Sequence, residues 1–208
     1  GVKWDGRHCG TFGDIGCFSF FADKTITTGE GGFVVTNNKE TYNKLLFLRN
    51  QGRLNRGSFI HPEIGYNFRI TDIQAAMGLV QLGRLKDIIS KKLDLLNLYK
   101  ENLLNVSGIR FVEPAPESRS THVPFRVVLI TTQPSKGLMD FLASREIETR
   151  TVFYPLHKQP CYSNGEKNNY ISNSTYAYNH GLCLPSYPAL EKDKVNYICD
   201  TIKEYLKQ

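Results

Sequence analysis

Lys24 stands just past an apolar and aromatic run, Ile15 to Phe21, bounded by Gly13-Asp14 and Ala22-Asp23. The run predicts a short buried strand rather than a helix. After it, Lys24-Thr-Ile-Thr-Thr-Gly-Glu-Gly31 mixes hydroxyls with glycines and predicts a loop, and Gly32 to Thr36 reads as a second strand ended by Asn37-Asn38. An amine held partly out of water at such a junction loses some preference for its charged form. Its pKa falls, and the neutral amine can attack a carbonyl and form an imine. Ser19, five residues upstream at the strand end, adds a hydroxyl. Spacing alone does not separate this chemistry from an ordinary solvated lysine.

The other reactive side chains are less suggestive. His157 closes the turn Tyr154-Pro-Leu-His157, and a lone histidine in a proline-rich turn is commonly a structural hydrogen-bonder. His8, His61, His122 and His180 lack acidic or histidine neighbours at ligand spacing, so no metal site is expected. Cys9, Cys17, Cys161, Cys183 and Cys199 form no CxxC pair and read as free thiols of a reducing compartment.

A formal charge of +6 invites an anionic partner. The basic residues are scattered, however, and the densest stretch, Arg49 to Arg56, has three arginines without interleaved aromatics, which argues against nucleic acid. A phosphate-bearing cofactor or nucleotide substrate accounts for the charge more economically. The chain has no apolar window of about eighteen residues and no signal-peptide core, so the expectation is a cytoplasmic protein without membrane contact.

Elements must place these residues. With 208 residues, 40% of them hydrophobic, the chain can fill one generous core or two small ones. Lys39 to Arg49 carries a helical stripe, and Thr71-Asp-Ile-Gln74 is a capping box that starts a second helix, continuing through Ala75 to Leu85. Lys86 to Leu104 predicts a long amphipathic helix that contains the domain boundary. Beyond it the pattern predicts strands at Ile109 to Val112, Val123 to Thr131 and Thr149 to Phe153. Helices are expected at Ser135 to Arg145 and Leu190 to Leu206, and an irregular segment at Pro155 to Tyr162.

Gly10-Thr-Phe-Gly-Asp-Ile-Gly-Cys-Phe-Ser-Phe-Phe-Ala-Asp-Lys24, followed by Gly29-Glu-Gly-Gly32, resembles the signature of the DegT/DnrJ/EryC1/StrS sugar aminotransferases, within the aspartate aminotransferase superfamily. Three further blocks resemble the same family in order: Gly65-Tyr-Asn-Phe-Arg-Ile-Thr-Asp-Ile-Gln-Ala-Ala-Met-Gly78, Tyr154-Pro-Leu-His-Lys-Gln-Pro160 and Leu182-Cys-Leu-Pro-Ser-Tyr-Pro188. Ordered blocks over nearly the whole chain are far more specific than a lone glycine motif. The blocks look most like those of perosamine-synthase-like members.

The resemblance implies an α/β fold, part of the fold type I architecture of pyridoxal-phosphate enzymes. Residues 1–95 would end the large cofactor domain, and residues 96–208 would form a small α+β domain. Lys24 would hold pyridoxal 5'-phosphate as a Schiff base and move protons, and Ser19 would bind its phosphate. Asn67 or Arg69 would reach across a homodimer interface to the partner's cofactor phosphate; spacing does not choose between them. Tyr154 and His157 would face the sugar. The activity implied is amino transfer from glutamate to a nucleotide-linked 4-keto-6-deoxy sugar, as a step toward surface polysaccharide or O-antigen.

The family's acidic partner of the pyridinium nitrogen belongs to an Asp-x-Ala-x-x-x-Gly pattern, and the sequence does not contain it. The chain is therefore expected to be a fragment of a longer enzyme, with a natural truncation as the alternative. The rival functions are a noncatalytic dimerisation or regulatory remnant and an aminocyclitol- or amino-benzoate-forming relative. Lys24 itself argues against the family's dehydratases, which carry histidine at that position.

Overall fold

The computed structural model describes residues 1–55, 57, 59–162 and 172–207, in two compact units. One unit comprises Gly1–Ile89 with Ser118–Thr121, the other Ser90–Glu117 with His122–Gln208.

The first unit opens on a hairpin of β1 (Lys3–Trp4) and β2 (Arg7–His8), turned at Asp5-Gly6, both with positive φ. That backbone is the two-residue turn that Asp-Gly favours. β3 (Gly16–Ser19) and β4 (Gly32–Val35) then pair antiparallel, with Phe18 opposite Phe33 and their rings stacked at 4.5 Å. Both expected strands form, but the first is shorter and less buried than predicted: only Gly16 of β3 is buried, and Ile15 and Phe21 flanking it are exposed. The physical reason is topological. β3 pairs with β4 alone, and a two-stranded ribbon among the described residues has no second layer to cover both faces.

Helix α1 (Lys39–Arg49) matches its predicted span and is capped by Asn38, whose side chain accepts the Thr41 N–H at 2.8 Å. Helix α2 (Asp72–Gly83) starts at Thr71 with both hydrogen bonds of the predicted capping box. It stops two residues short of Leu85, because α3 (Leu85–Leu103) begins beyond a break at Arg84. α2 is apolar on most of its circumference yet has no buried residue among those described. A helix of that composition is one that packing partners ordinarily surround.

The second unit is built on an antiparallel sheet in the order β5 (Ile109–Phe111), β6 (Val127–Thr131), β8 (Gly181–Leu184) and β7 (Arg150–Thr151). Its core joins Leu96, Tyr99 and Leu103 of α3 to Leu129 and Leu182 of the sheet. Leu142 of α4 (Lys136–Ser144) and Ile202 of α6 (Lys192–Leu206) complete the cluster. Three strand predictions shorten. β6 begins only at Val127, because Pro124 has no N–H to give to a ladder, and β7 keeps two of its five expected residues. Pro155 to Tyr162, expected to be irregular, contains two single 3-10 turns, Leu156–Lys158 and Pro160–Tyr162. Helix α5 (Asn173–His180) and strand β8 were not expected.

Two buried polar side chains on α3, two turns apart, fasten this unit. Lys92 donates to the carbonyls of Phe125 at 3.1 Å and Ser186 at 3.2 Å, and Tyr99 donates to the carbonyl of Pro185 at 3.0 Å. Burial lowers the Lys92 pKa, with the Arg126 charge adding to the effect, and burial raises that of the Tyr99 hydroxyl. Carbonyl acceptors satisfy the donors that burial would otherwise penalise.

Candidate active site

Lys24 lies in a loop closed at its base by backbone hydrogen bonds. The Phe20 N–H donates to the Gly31 carbonyl at 2.8 Å, and the Phe20 carbonyl accepts the Thr28 N–H at 3.0 Å and the Thr27 hydroxyl at 2.9 Å. Within the loop two turns follow one another. The Ser19 hydroxyl accepts the Phe21 N–H at 3.2 Å, and the Phe21 carbonyl accepts the Lys24 N–H at 3.0 Å. The backbone that carries Ser19 therefore sets the backbone that carries Lys24. The Lys24 side chain is 36% exposed, and its Nζ lies 3.7 Å from the Asp23 carboxylate. It is half-buried, neither sealed in the core nor fully in solvent.

The far side of the loop is close-packed. Thr28 is buried, and its hydroxyl donates to the Glu30 carbonyl at 2.6 Å. A Cβ on Gly32 would lie 2.5 Å from the Phe18 carbonyl oxygen, so this position admits glycine alone without backbone movement.

Asn67 and Arg69 stand together in the same unit. The Asn67 side-chain oxygen accepts from Arg69 Nε at 3.2 Å, and Asn67 forms an isolated bridge with Asn50. Arg69 lines a cavity of about 1150 Å³ with Arg49, Arg53, Lys44 and Glu63, while Asn67 lines a smaller one with Gln51 and His61. Lys24 and Ser19 line neither cavity. Arg56, the last residue of the basic stretch, lies outside the described residues.

Tyr154 and His157 belong to the second unit. The Tyr154 ring meets that of Tyr178 edge-on, at 5.1 Å and 89°, and His157 Nε2 lies 3.4 Å from the Thr175 hydroxyl. Pro155 between them is buried. The structure thus links Ser19 to Lys24 through the backbone of Phe21, pairs Asn67 with Arg69, and sets Tyr154 and His157 against α5. Sequence reasoning did not foresee Thr175 or Tyr178, because their partners are distant along the chain and α5 carries little apolar periodicity.

The profile of the DegT/DnrJ/EryC1/StrS aminotransferase family matches residues 1–203. The chain belongs to that family. Its members depend on pyridoxal phosphate. Among relatives of this DegT/DnrJ/EryC1/StrS chain, the GDP-perosamine synthase of Escherichia coli O157:H7 is 41% identical over 99% of the chain, and that of Vibrio cholerae 38% over 99%. The fold agrees with the solved structure of the aminotransferase TlmJ from Streptoalloteichus hindustanus, at a TM-score of 0.90 and 26% identity. That match covers 99% of this chain and 56% of TlmJ. The chain likewise spans 55% of the first synthase and 56% of the second, a little over half the length of the relatives it matches. The α/β architecture expected from the sequence blocks is the architecture of the corresponding part of these aminotransferases.

The donor set suits the family's cofactor. Lys24 offers an amine for an aldehyde, while a hydroxyl such as that of Ser19, an amide such as that of Asn67 and a guanidinium such as that of Arg69 are group types able to hydrogen-bond a phosphate.

Proposed function

We propose that this chain is the lysine-bearing part of a cytoplasmic, homodimeric, pyridoxal-phosphate-dependent aminotransferase that moves an amino group from glutamate to a GDP-linked 4-keto-6-deoxy sugar. The observation that carries the proposal is Lys24 itself, half-buried and held through successive turns beside Ser19, within a block that matches the family signature. The choice of GDP rests on the two perosamine synthases, each matched across nearly the whole chain.

In this reading the bound cofactor supplies an electron sink. Lys24 holds it through Nζ and then carries a proton between the substrate carbon and the cofactor. The Ser19 hydroxyl hydrogen-bonds the phosphate, and either Asn67 or Arg69 reaches the phosphate of the partner subunit's cofactor. Tyr154 and His157 orient the sugar.

The test is an assay of the full-length protein with glutamate and a panel of 4-keto-6-deoxy sugars linked to GDP, UDP or dTDP. Release of 2-oxoglutarate with a GDP-linked acceptor is the expected outcome. Release with the UDP- or dTDP-linked sugars alone would overturn the choice of nucleotide, and failure with every sugar acceptor would overturn the substrate class.

A further inference from the structure

We propose that helix α5 positions the sugar-facing side of the site, with Thr175 setting the imidazole of His157 and Tyr178 setting the ring of Tyr154. The inference rests on the substrate role given above to those two residues, and it adds two residues that the sequence blocks did not single out.

The Tyr154-Pro-Leu-His157 turn has a single buried backbone anchor, Pro155, whose ring also fixes φ. The side chains on either side of it project from an exposed segment, and an exposed tyrosine or histidine samples several rotamers unless something stops it. α5 supplies a stop for each. Thr175 is 7% exposed, the one buried residue of α5, and its hydroxyl faces His157 Nε2 at 3.4 Å. A buried threonine is stiff at χ1, and its hydroxyl can serve Nε2 as donor or acceptor, so it gives the imidazole a fixed hydrogen-bonding partner that orients the ring. Three residues on, and so on the same helix face, Tyr178 presents its ring perpendicular to that of Tyr154. Edge-to-face packing of this kind is directional and fixes the orientation of the Tyr154 ring.

α5 is itself held at its other end. The buried Ser135 donates there from both its groups, its N–H to the Asn179 carbonyl at 3.0 Å and its hydroxyl toward the carbonyls of Gly181 at 3.1 Å and Asn179 at 3.2 Å. The helix then runs directly into β8, all four residues of which are buried. Thr175 and Tyr178 therefore transmit the rigidity of a central strand to an exposed turn.

The experiment uses the full-length protein with Thr175→Val, Thr175→Ser and Tyr178→Leu, and with His157→Ala and Tyr154→Ala as references, following the glutamate and sugar half-reactions separately. Thr175→Val and Tyr178→Leu are expected to raise the sugar KM about tenfold while leaving the glutamate half-reaction unchanged, and Thr175→Ser to restore the sugar KM. General structural damage would slow both half-reactions together, and that result overturns the proposal. So does an unchanged sugar KM in Thr175→Val and Tyr178→Leu when His157→Ala and Tyr154→Ala do raise it, which would leave the substrate reading standing. If the two alanine references also leave it unchanged, the substrate reading falls and this inference falls with it.

Discussion

Gln74 donates a hydrogen bond from its side-chain Nε2 to the main-chain carbonyl of Glu30 at 2.9 Å, joining the cap of α2 to the loop that carries Lys24. The other end of the same amide accepts the Thr71 N–H at 2.9 Å, so a single side chain closes the capping box and ties down the lysine loop. The Glu30 carbonyl receives the Thr28 hydroxyl as well. Two signature blocks are thus one hydrogen-bonded assembly in the first unit, joined by residues 44 positions apart in sequence.

Substitution at Gln74 separates the two tasks. Gln74→Glu keeps an oxygen for the Thr71 N–H but has no donor for the Glu30 carbonyl, so α2 should stay helical while the loop loosens. The expected cost is about 1 kcal/mol, with faster amide exchange at residues 28–32. Gln74→Ala should cost roughly 1 kcal/mol more, because the side-chain half of the capping box is lost too, while the Thr71 hydroxyl still accepts the residue-74 N–H. Unchanged exchange in Gln74→Glu would show that the bond to Glu30 does not hold the loop.

Gly32→Ala tests the close approach across the β3–β4 pair. Its Cβ would overlap the Phe18 carbonyl oxygen, and the backbone has to move to relieve it. Destabilisation of about 1–3 kcal/mol is expected in chemical denaturation, with altered spectra of Phe18 and Phe33. An alanine variant as stable as the parent would contradict the packing described here.

At alkaline pH the second unit should weaken through Cys199. Burial pushes its thiol up to about 12 from an ordinary value of 9.0. The folded state keeps a proton that the unfolded chain releases above pH 9.0, so the stability from this group is complete below that pH and is lost as pH rises toward about 12. Tyr99, also raised by burial, adds a loss of the same sign at higher pH. Cys199→Ala should flatten the decline between these values in a series of denaturation curves. An identical slope in the variant would contradict the assignment.

The cap of α2 was legible in the sequence because its hydrogen bonds span three residues, and α1 was legible from the apolar stripe of Tyr42, Leu45, Leu46 and Leu48. The lysine loop was legible as a loop because glycine and hydroxyl side chains carry that signal themselves. α5 was not. Asn173-Ser-Thr-Tyr-Ala-Tyr-Asn-His180 has no apolar stripe, and much of what holds it, Ser135 bonded to Asn179 and Tyr178 against Tyr154, is tertiary. β8 hid in a four-residue apolar run too short to show a period. The β1–β2 hairpin did have a signal in Asp5-Gly6, but its strands are two residues each and carry no alternation. Of the site, residue types pointed to Lys24 and Ser19, whereas the Gln74–Glu30 bond required the fold.

The most direct measurement is the absorbance of the full-length protein with pyridoxal phosphate, paired with borohydride reduction and peptide mapping. A band near roughly 400 nm, and a reduced cofactor adduct on Lys24, are expected in the parent protein and should both vanish in Lys24→Ala. A band that persists in Lys24→Ala, or an adduct mapped to another lysine, would contradict the account.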